Sequence, residues 1–238
     1  MKLGLISDIH ANAENLRRSL ILLREKGAES ILCAGDLVDG ETEGNVAAQL
    51  IKSQNIPCVQ GNHDHALSGA TAANYAEWRR QWDEAELGFH PWQFSDDALT
   101  DETITYLRQL PLSLRFEWDN RRVLLTHAST WDQMSYIYAN GRPAYLQRIA
   151  EEAQAADAEI VILGHTHVPM AVELEGVWIF NPGSVDGNRD QPFNATCALL
   201  DLAVMRYQVF DINTGRPTAY IFSKFGDLGH NMHETDGN

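Results

Sequence analysis

Wherever a short apolar run of this chain ends, residues able to bind a metal or move a proton follow. Leu3 to Ile6 leads into Asp8 and His10, Ile31 to Ala34 into Asp36 and Asp39, and Ile56 to Val59 into Asn62, His63 and Asp64. Further on, Val123 to Thr126 leads into His127, and Ile160 to Leu163 into His165 and His167. Open α/β sheets gather their ligands at the carboxyl ends of their strands. Asp8 with His10, and His165 with His167, are spaced two apart. In extended backbone that spacing points each pair to one side, where two side chains can grip one ion. Imidazole, carboxylate and amide oxygen together suit a borderline dication such as Mn, Fe, Ni or Zn. Seven candidate ligands among these residues are too many for one ion and fit two that share a bridging carboxylate. Two such ions, roughly 3.5–4 Å apart, lower the pKa of a shared water and neutralise charge on phosphorus during phosphoester hydrolysis. A neighbouring protonated imidazole can then donate to the leaving oxygen.

The elements that must position these residues follow from periodicity. Leu3 to Ile6 reads as a buried strand; Asn12 then caps a helix whose Leu16, Leu20 and Leu23 share one face and which ends near Gly27. A second strand at 31–34, a helical stretch with Val46, Leu50 and Ile51, and a third strand at 56–59 complete a β-α-β-α-β opening. That alternation predicts a layered α/β fold. Between Ala66 and Leu110 the character changes to a helical cap insertion, with Trp78 and Trp82 four apart and a second helix over 97–110. A hairpin over 112–126 turns at Asp119-Asn120, and a helix spans 143–156. Short alternating segments at 170–174, 177–180, 196–202 and 205–210 close the domain, the first two joined by a Glu175-Gly176 turn. Residues 213–238 are polar and Gly-rich and read as a fraying C-terminal tail.

Bulk composition narrows the function classes. The 238 residues are 44% hydrophobic and 21% charged, an ordinary globular balance. A formal net charge of -15 opposes non-specific binding to nucleic acid or to an anionic membrane, so stable association with either is not expected. An anionic substrate would then need its positive charge from bound metal. Cys33, Cys58 and Cys197 are far apart, form no CxxC pair and suit a reducing, cytoplasmic setting. The apolar start is too short for a signal peptide, and no run approaches membrane-spanning length.

In order along the chain, Asp8-Ile9-His10, Gly35-Asp36-Leu37-Val38-Asp39, Gly61-Asn62-His63-Asp64, His127 and Gly164-His165-Thr166-His167 resemble the motif set of the calcineurin-like metallophosphoesterase superfamily. Phe180-Asn181-Pro182-Gly183-Ser184-Val185 is similar to a segment of its small prokaryotic phosphodiesterase branch. The resemblance covers about residues 1–212, read as a single domain with the cap at 66–110 inserted. It implies a four-layer α-β-β-α sandwich. It also implies two metals, the first on Asp8, His10 and His167, the second on Asn62, His127 and His165, bridged by Asp36. His63, oriented by Asp39, would be the general acid, and Asp64 would bond nearby backbone.

The chain departs from the protein-phosphatase members at Gly40, where they carry Arg, and at Asp64, where they carry Glu. Without that Arg a phosphodiester or nucleotide-derived substrate fits better than a phosphomonoester dianion. The rival readings are a protein serine/threonine phosphatase and a non-catalytic scaffold of the same fold; retention of every motif ligand counts against the second. His65, His90, His230 and His233 show no partner pattern, and Arg189 reads as a solvated loop residue. Tyr75, Trp78, Trp82, Trp92 and Phe94 offer faces for a nucleobase, although a cap packing its own small core explains them with fewer assumptions.

Overall fold

The computed structural model describes residues 1–69, 99–187 and 194–225. Strand β1 (Lys2–Ile6) is apolar on both sides because both of its faces are covered. Leu3 and Leu5 face a second sheet, whereas Ile6 packs beneath helices. Parallel pairing with β2 (Ser30–Cys33) sets Leu5 opposite Leu32, and antiparallel pairing with β8 (Thr196–Asp201) sets it opposite Ala198. All three side chains therefore point into the same inter-sheet core. Beyond β8 lie β9 (Arg206–Asp211) and β10 (Pro217–Thr218), giving the order β10-β9-β8-β1-β2.

The second sheet runs β11 (Ile221–Phe225), β6 (Met170–Leu174), β7 (Val177–Asn181), β5 (Ile160–Ile162), β4 (Arg121–Thr126), β3 (Ser113–Trp118). Its register sorts side chains by face. Leu125, Ile162, Phe180 and Ala171 are successive cross-strand partners and all enter the inter-sheet core. Their neighbours Leu124, Val161, Ile179 and Val172 are partners in turn and pack outward.

Helices cover both outer faces. Helix α1 (Ala13–Glu25) starts at Asn12, whose side chain accepts a hydrogen bond from Asn15 N at 3.0 Å. With α2 (Gly44–Ser53) it buries Leu16, Leu20, Leu23 and Ile51 against the first sheet. Leu107, from the helix Asp101–Gln109, joins the same cluster. On the far side, α5 (Pro143–Ala155) places Leu146, Ile149, Ala150 and Ala153 on the second sheet. Helix, sheet, sheet, helix, with three separate apolar cores, is the expected four-layer sandwich. The β3–β4 and β6–β7 hairpin turns use paired left-handed residues, Asp119 and Asn120 at φ 52° and 58°, Glu175 and Gly176 at φ 51° and 82°. That is the turn geometry whose twist matches the flanking strands.

Several expectations are corrected. The third strand at 56–59 shrinks to a single parallel bridge between Cys33 and Cys58. Cys33 N donates to Pro57 O and Val59 N to Cys33 O, at 2.9 and 3.2 Å; Pro57 has no N–H with which to extend the ladder. Helix α3 (Asn62–Gly69), which the sequence reading did not single out, begins inside the third motif. The helix expected over 97–110 is α4 (Asp101–Gln109), starting at an N-cap Thr100 that accepts from Thr103 N. The tail does not fray directly after residue 212. Ile221–Phe225 pairs in parallel with β6 over five residues, because the exposed edge of that sheet supplies its backbone partners. In α2 the buried face is Ala47, Ala48 and Ile51, leaving Val46 exposed. The aromatic group Tyr75, Trp78, Trp82, Trp92 and Phe94 lies outside the described residues, as do His90, Arg189, His230 and His233. No helix among the described residues is long and apolar enough to cross a membrane.

Candidate active site

The expected ligands meet at one end of the two sheets, but not from extended backbone. Asp8, His10, Asp36, Asp39, His165 and His167 have φ of 53°, 46°, 54°, 70°, 67° and 57°. Left-handed conformation is disfavoured for most side chains and tolerated best by Asp, Asn and His. The loops after β1 and β2 hold it by pairing with each other: Asp8 N donates to Gly35 O at 3.0 Å, Ile9 N and His10 N to Asp36 O at 2.8 and 3.0 Å, and Ala11 N to Leu37 O at 2.9 Å. Asp64, in the first turn of α3, ties the third motif to the second. Its carboxylate accepts from Gly61 N, Asp36 N and Leu37 N at 3.0, 2.9 and 2.8 Å.

Two glycines make the convergence possible by lacking a side chain. A Cβ on Gly61 would lie 2.0 Å from Asp36 Oδ1, and one on Gly164 would lie 1.9 Å from Ser7 Oγ and 2.7 Å from Asp8 Oδ2. What Gly61 supplies is room for the Asp36 carboxylate.

The ligand atoms fall into groups that could each hold an ion: Asp8, His10 and His167; Asp36, His127 and His165; and, between them, His10, Asp36 and His63. In the first, His10 Nε2 and His167 Nε2 are 3.0 Å apart, and His167 Nε2 is 3.4 Å from Asp8 Oδ1. In the second, His127 Nε2 and His165 Nδ1 each lie 2.9 Å from Asn62 Oδ1, and His127 Nε2 is 3.2 Å from Asp36 Oδ2. Asp36 belongs to two of the groups, and its Oδ2 is 3.9 Å from both His10 Nε2 and His63 Nε2. Backbone carbonyls aim two of the rings. Asp39 O lies 2.7 Å from His10 Nδ1 and Ala34 O 2.6 Å from His127 Nδ1, which leaves each Nε2 facing the cluster.

His63 stands beside both halves, and its Nδ1 is 2.7 Å from Asp39 Oδ2. Burial opposes a charge on this ring, but the Asp36 and Asp39 carboxylates outweigh it and raise its pKa above the ordinary histidine value. Elsewhere the same forces split the histidines. Burial, reinforced by His63 and His167, pushes His10 down to about 4. Burial and His127 push His165 down to about 3. His127 resists its own burial because Asp36 and Asp8 attract its proton, and it rises to about 10. The carboxyls of Asp8 and Asp36 are buried too, yet neighbouring imidazoles hold them below the usual carboxylate range. Burial and Asp36 lift Asp64 to about 6.

The donor set fits divalent cations. Buried carboxylates from Asp8, Asp36, Asp39 and Asp64 crowd one small volume, a costly concentration of negative charge without cations. His165 Nε2 and Asn62 Nδ2 are buried with no hydrogen-bond partner among the described residues. Three supporting residues have no metal-binding signature in the sequence. Asn181 donates to Gly164 O at 2.6 Å, and Ser184 Oγ donates to Asp8 O at 2.8 Å. The Asn-Pro-Gly-Ser segment that holds them was visible; its task of bracing the Asp8 and His165 loops was not. Tyr136 stands with its ring centroid 4.3 Å from that of His165. Only the aromatic density of its loop could have pointed to it.

A protein-family model of the calcineurin-like phosphoesterase superfamily domain matches residues 1–204. An uncharacterized protein of Methanocaldococcus jannaschii is 24% identical over 233 residues, covering 92% of this chain and 90% of its own. A phosphodiesterase of the same organism is 22% identical over 192 residues, covering 79% of this chain and 86% of its own. The crystal structure of a metallophosphoesterase from Sphaerobacter thermophilus superposes with a TM-score of 0.63 at 25% identity, covering 92% of this chain and 89% of that one. Layered sandwich, clustered His/Asp groups and a family match over most of the length agree: the chain belongs to the calcineurin-like phosphoesterase superfamily, a family of hydrolases.

Proposed function

We propose that the protein is a phosphodiesterase that works with two divalent transition-metal ions, Mn, Fe, Ni or Zn, on small phosphodiester or nucleotide-derived substrates. The observation that carries this reading is that Asp36 belongs to two adjoining three-residue groups, so its carboxylate can be shared. Asp8, His10 and His167 would hold one ion; Asn62, His127 and His165 the other; Asp36 would serve both. Bound there, the ions supply an attacking water that ionises near neutral pH and offset charge on phosphorus.

The protein's own groups do the rest. Asp39 fixes the His63 ring through Nδ1, which leaves Nε2 turned toward the cluster, where a protonated imidazole can give its proton to the leaving oxygen. Carboxylates on either side favour that protonated form. Asp64 locks the Asp36 loop and the Asn62–His63 turn into one unit. Gly40 stands where an arginine clamp for a phosphomonoester dianion would be, which favours a diester. The designation of the M. jannaschii relative as a phosphodiesterase points the same way.

The test is metal-stripped protein reconstituted with Mn, Ni or Zn and assayed on an aryl phosphodiester, an aryl phosphomonoester and a phosphopeptide. About two metal equivalents per chain and a preference for the diester are expected, and Asp36→Ala should lose both metal and turnover, at least about 10³-fold in rate. A strong preference for the phosphopeptide would replace the diester reading with a protein-phosphatase one. Full activity in Asp36→Ala would refute the site.

A further inference from the structure

The loop between β4 and α5 brings to the cluster an aromatic side chain that the metal groups and the proton donor leave unused. Tyr136 packs its ring against His165, with centroids 4.3 Å apart and planes tilted by 40°, and stacks with Tyr138 at 6.1 Å and 10°. It is only partly buried, whereas Asp8, Asp36, His127 and His165 are almost wholly buried, so it stands nearer the surface than the clustered side chains. The Asp36 and Asp8 carboxylates both act on its phenol, and its ring lies directly against His165, so the residue stands beside the cluster at which a phosphoryl group would bind.

The chemistry of the surroundings gives that position a task. Among the described residues, the ion-pair partners of Asp8, Asp36 and Asp39 are all histidines; no Lys or Arg pairs with them. A phosphoryl group entering the site carries anionic oxygens that need donors, and no Lys or Arg among the described residues pairs with the cluster's carboxylates to supply one. A tyrosine hydroxyl is protonated at neutral pH and can donate one hydrogen bond without adding charge. Its ring is already fixed against His165, so little orientational freedom remains to be lost on binding.

We propose that Tyr136 is a substrate-contacting residue whose hydroxyl donates a hydrogen bond to a non-bridging oxygen of the bound phosphoester. The proposal rests on the phosphoesterase reading of the neighbouring cluster. Tyr136→Phe is the discriminating variant, because it keeps the ring on His165 and removes only the donor. With metal-loaded protein and inorganic phosphate as the probe, calorimetric titration should show about tenfold weaker binding in Tyr136→Phe, the scale of one hydrogen bond to a charged group. Metal content and melting temperature should stay at the wild-type values. On an aryl phosphodiester, kcat/KM should fall by a similar factor. Wild-type phosphate affinity in Tyr136→Phe would overturn the proposal whatever the turnover, and so would a wild-type protein that binds no phosphate. Weakened phosphate binding in a protein that hydrolyses none of the three esters would keep the Tyr136 contact and refute the hydrolytic reading alone.

Discussion

Around Asp8, His10 and His167 the imidazoles meet each other, Nε2 to Nε2 at 3.0 Å; around Asp36, His127 and His165 they meet on the amide oxygen of Asn62, at 2.9 Å each. The first half comes from two loops only, those after β1 and β5. The second draws on the β2 loop, the first turn of α3, the end of β4 and the β5 loop. Residues of nearly the same kind are thus held by different amounts of scaffold. Asp64 alone secures three backbone N–H groups between the second half's segments, whereas Asp8 is steadied by His165 N and, through its own carbonyl, by Ser184. The half with more contributing segments has more ways to be disturbed from a distance.

Removing one imidazole from each half tests whether they act separately. His167→Ala and His127→Ala should each lose about one metal equivalent, with affinity at that half falling on the order of 10²-fold or more, since even outer partners of a metal ligand are worth 10–100-fold. His127→Ala should do the greater harm to the remaining half, because its Nε2 also lies 3.2 Å from the shared Asp36. Metal analysis by plasma mass spectrometry after gel filtration reads this directly. Loss of both equivalents in His167→Ala would mean that the halves fill as one unit and that the division drawn above is false.

A smaller effect separates the glycines wedged behind each half. A methyl on Gly61 meets Asp36 Oδ1 at 2.0 Å, Asp36 N at 2.4 Å and Asp36 Cγ at 2.7 Å, so the backbone itself must yield. On Gly164 the shortest contact, 1.9 Å, is to Ser7 Oγ, a short side chain with no hydrogen-bond partner to give up among the described residues. Gly61→Ala should therefore cost about 1–3 kcal/mol or more, the usual range for overpacking, and displace Asp36. Gly164→Ala should cost less and move Asp8 only slightly. Chemical denaturation with and without Mn measures both; an equal loss would show that Ser7 is as rigid as the Asp36 loop.

These glycines also mark where sequence reading stops. The residues that cluster were legible because strand-ending polar residues are local in sequence, and two apolar periodicities framed them. Their arrangement was not. The carbonyls of Ala34 and Asp39 that aim His127 and His10 are invisible in a string of side chains. The two-residue spacing of Asp8 and His10 pointed to extended backbone, yet both residues are left-handed, held there by hydrogen bonds from a loop nearly thirty residues away. Pro57 turned an apolar run into a single bridge, and β11 became a strand only because β6 offered an edge. In each case a non-local backbone partner decided between conformations that local sequence left open.

The finest distinction between the halves is protonic. In the metal-free fold His127 is held protonated up to about 10 against an ordinary 6.5, while His10 falls to about 4 and His165 to about 3. A raised histidine pKa stabilises the fold fully below the unfolded value, and the contribution is lost as pH climbs toward 10. The depressed pair does the reverse. His10 and His165 are buried neutral, so stability falls as pH drops from 6.5 toward 4 and 3. An ion needs the neutral imidazole, so binding at the Asp36 half must expel the His127 proton, and binding on His10 or His165 expels none near neutrality. Between pH 6.5 and 10 that one proton makes affinity at the Asp36 half rise about tenfold per pH unit. Calorimetry of Mn binding near neutral pH in two buffers of different ionisation heat should count about one proton released on filling that half, and His127→Ala should abolish it. A release that persists in that variant would move the proton to another group and leave the two halves electrostatically alike.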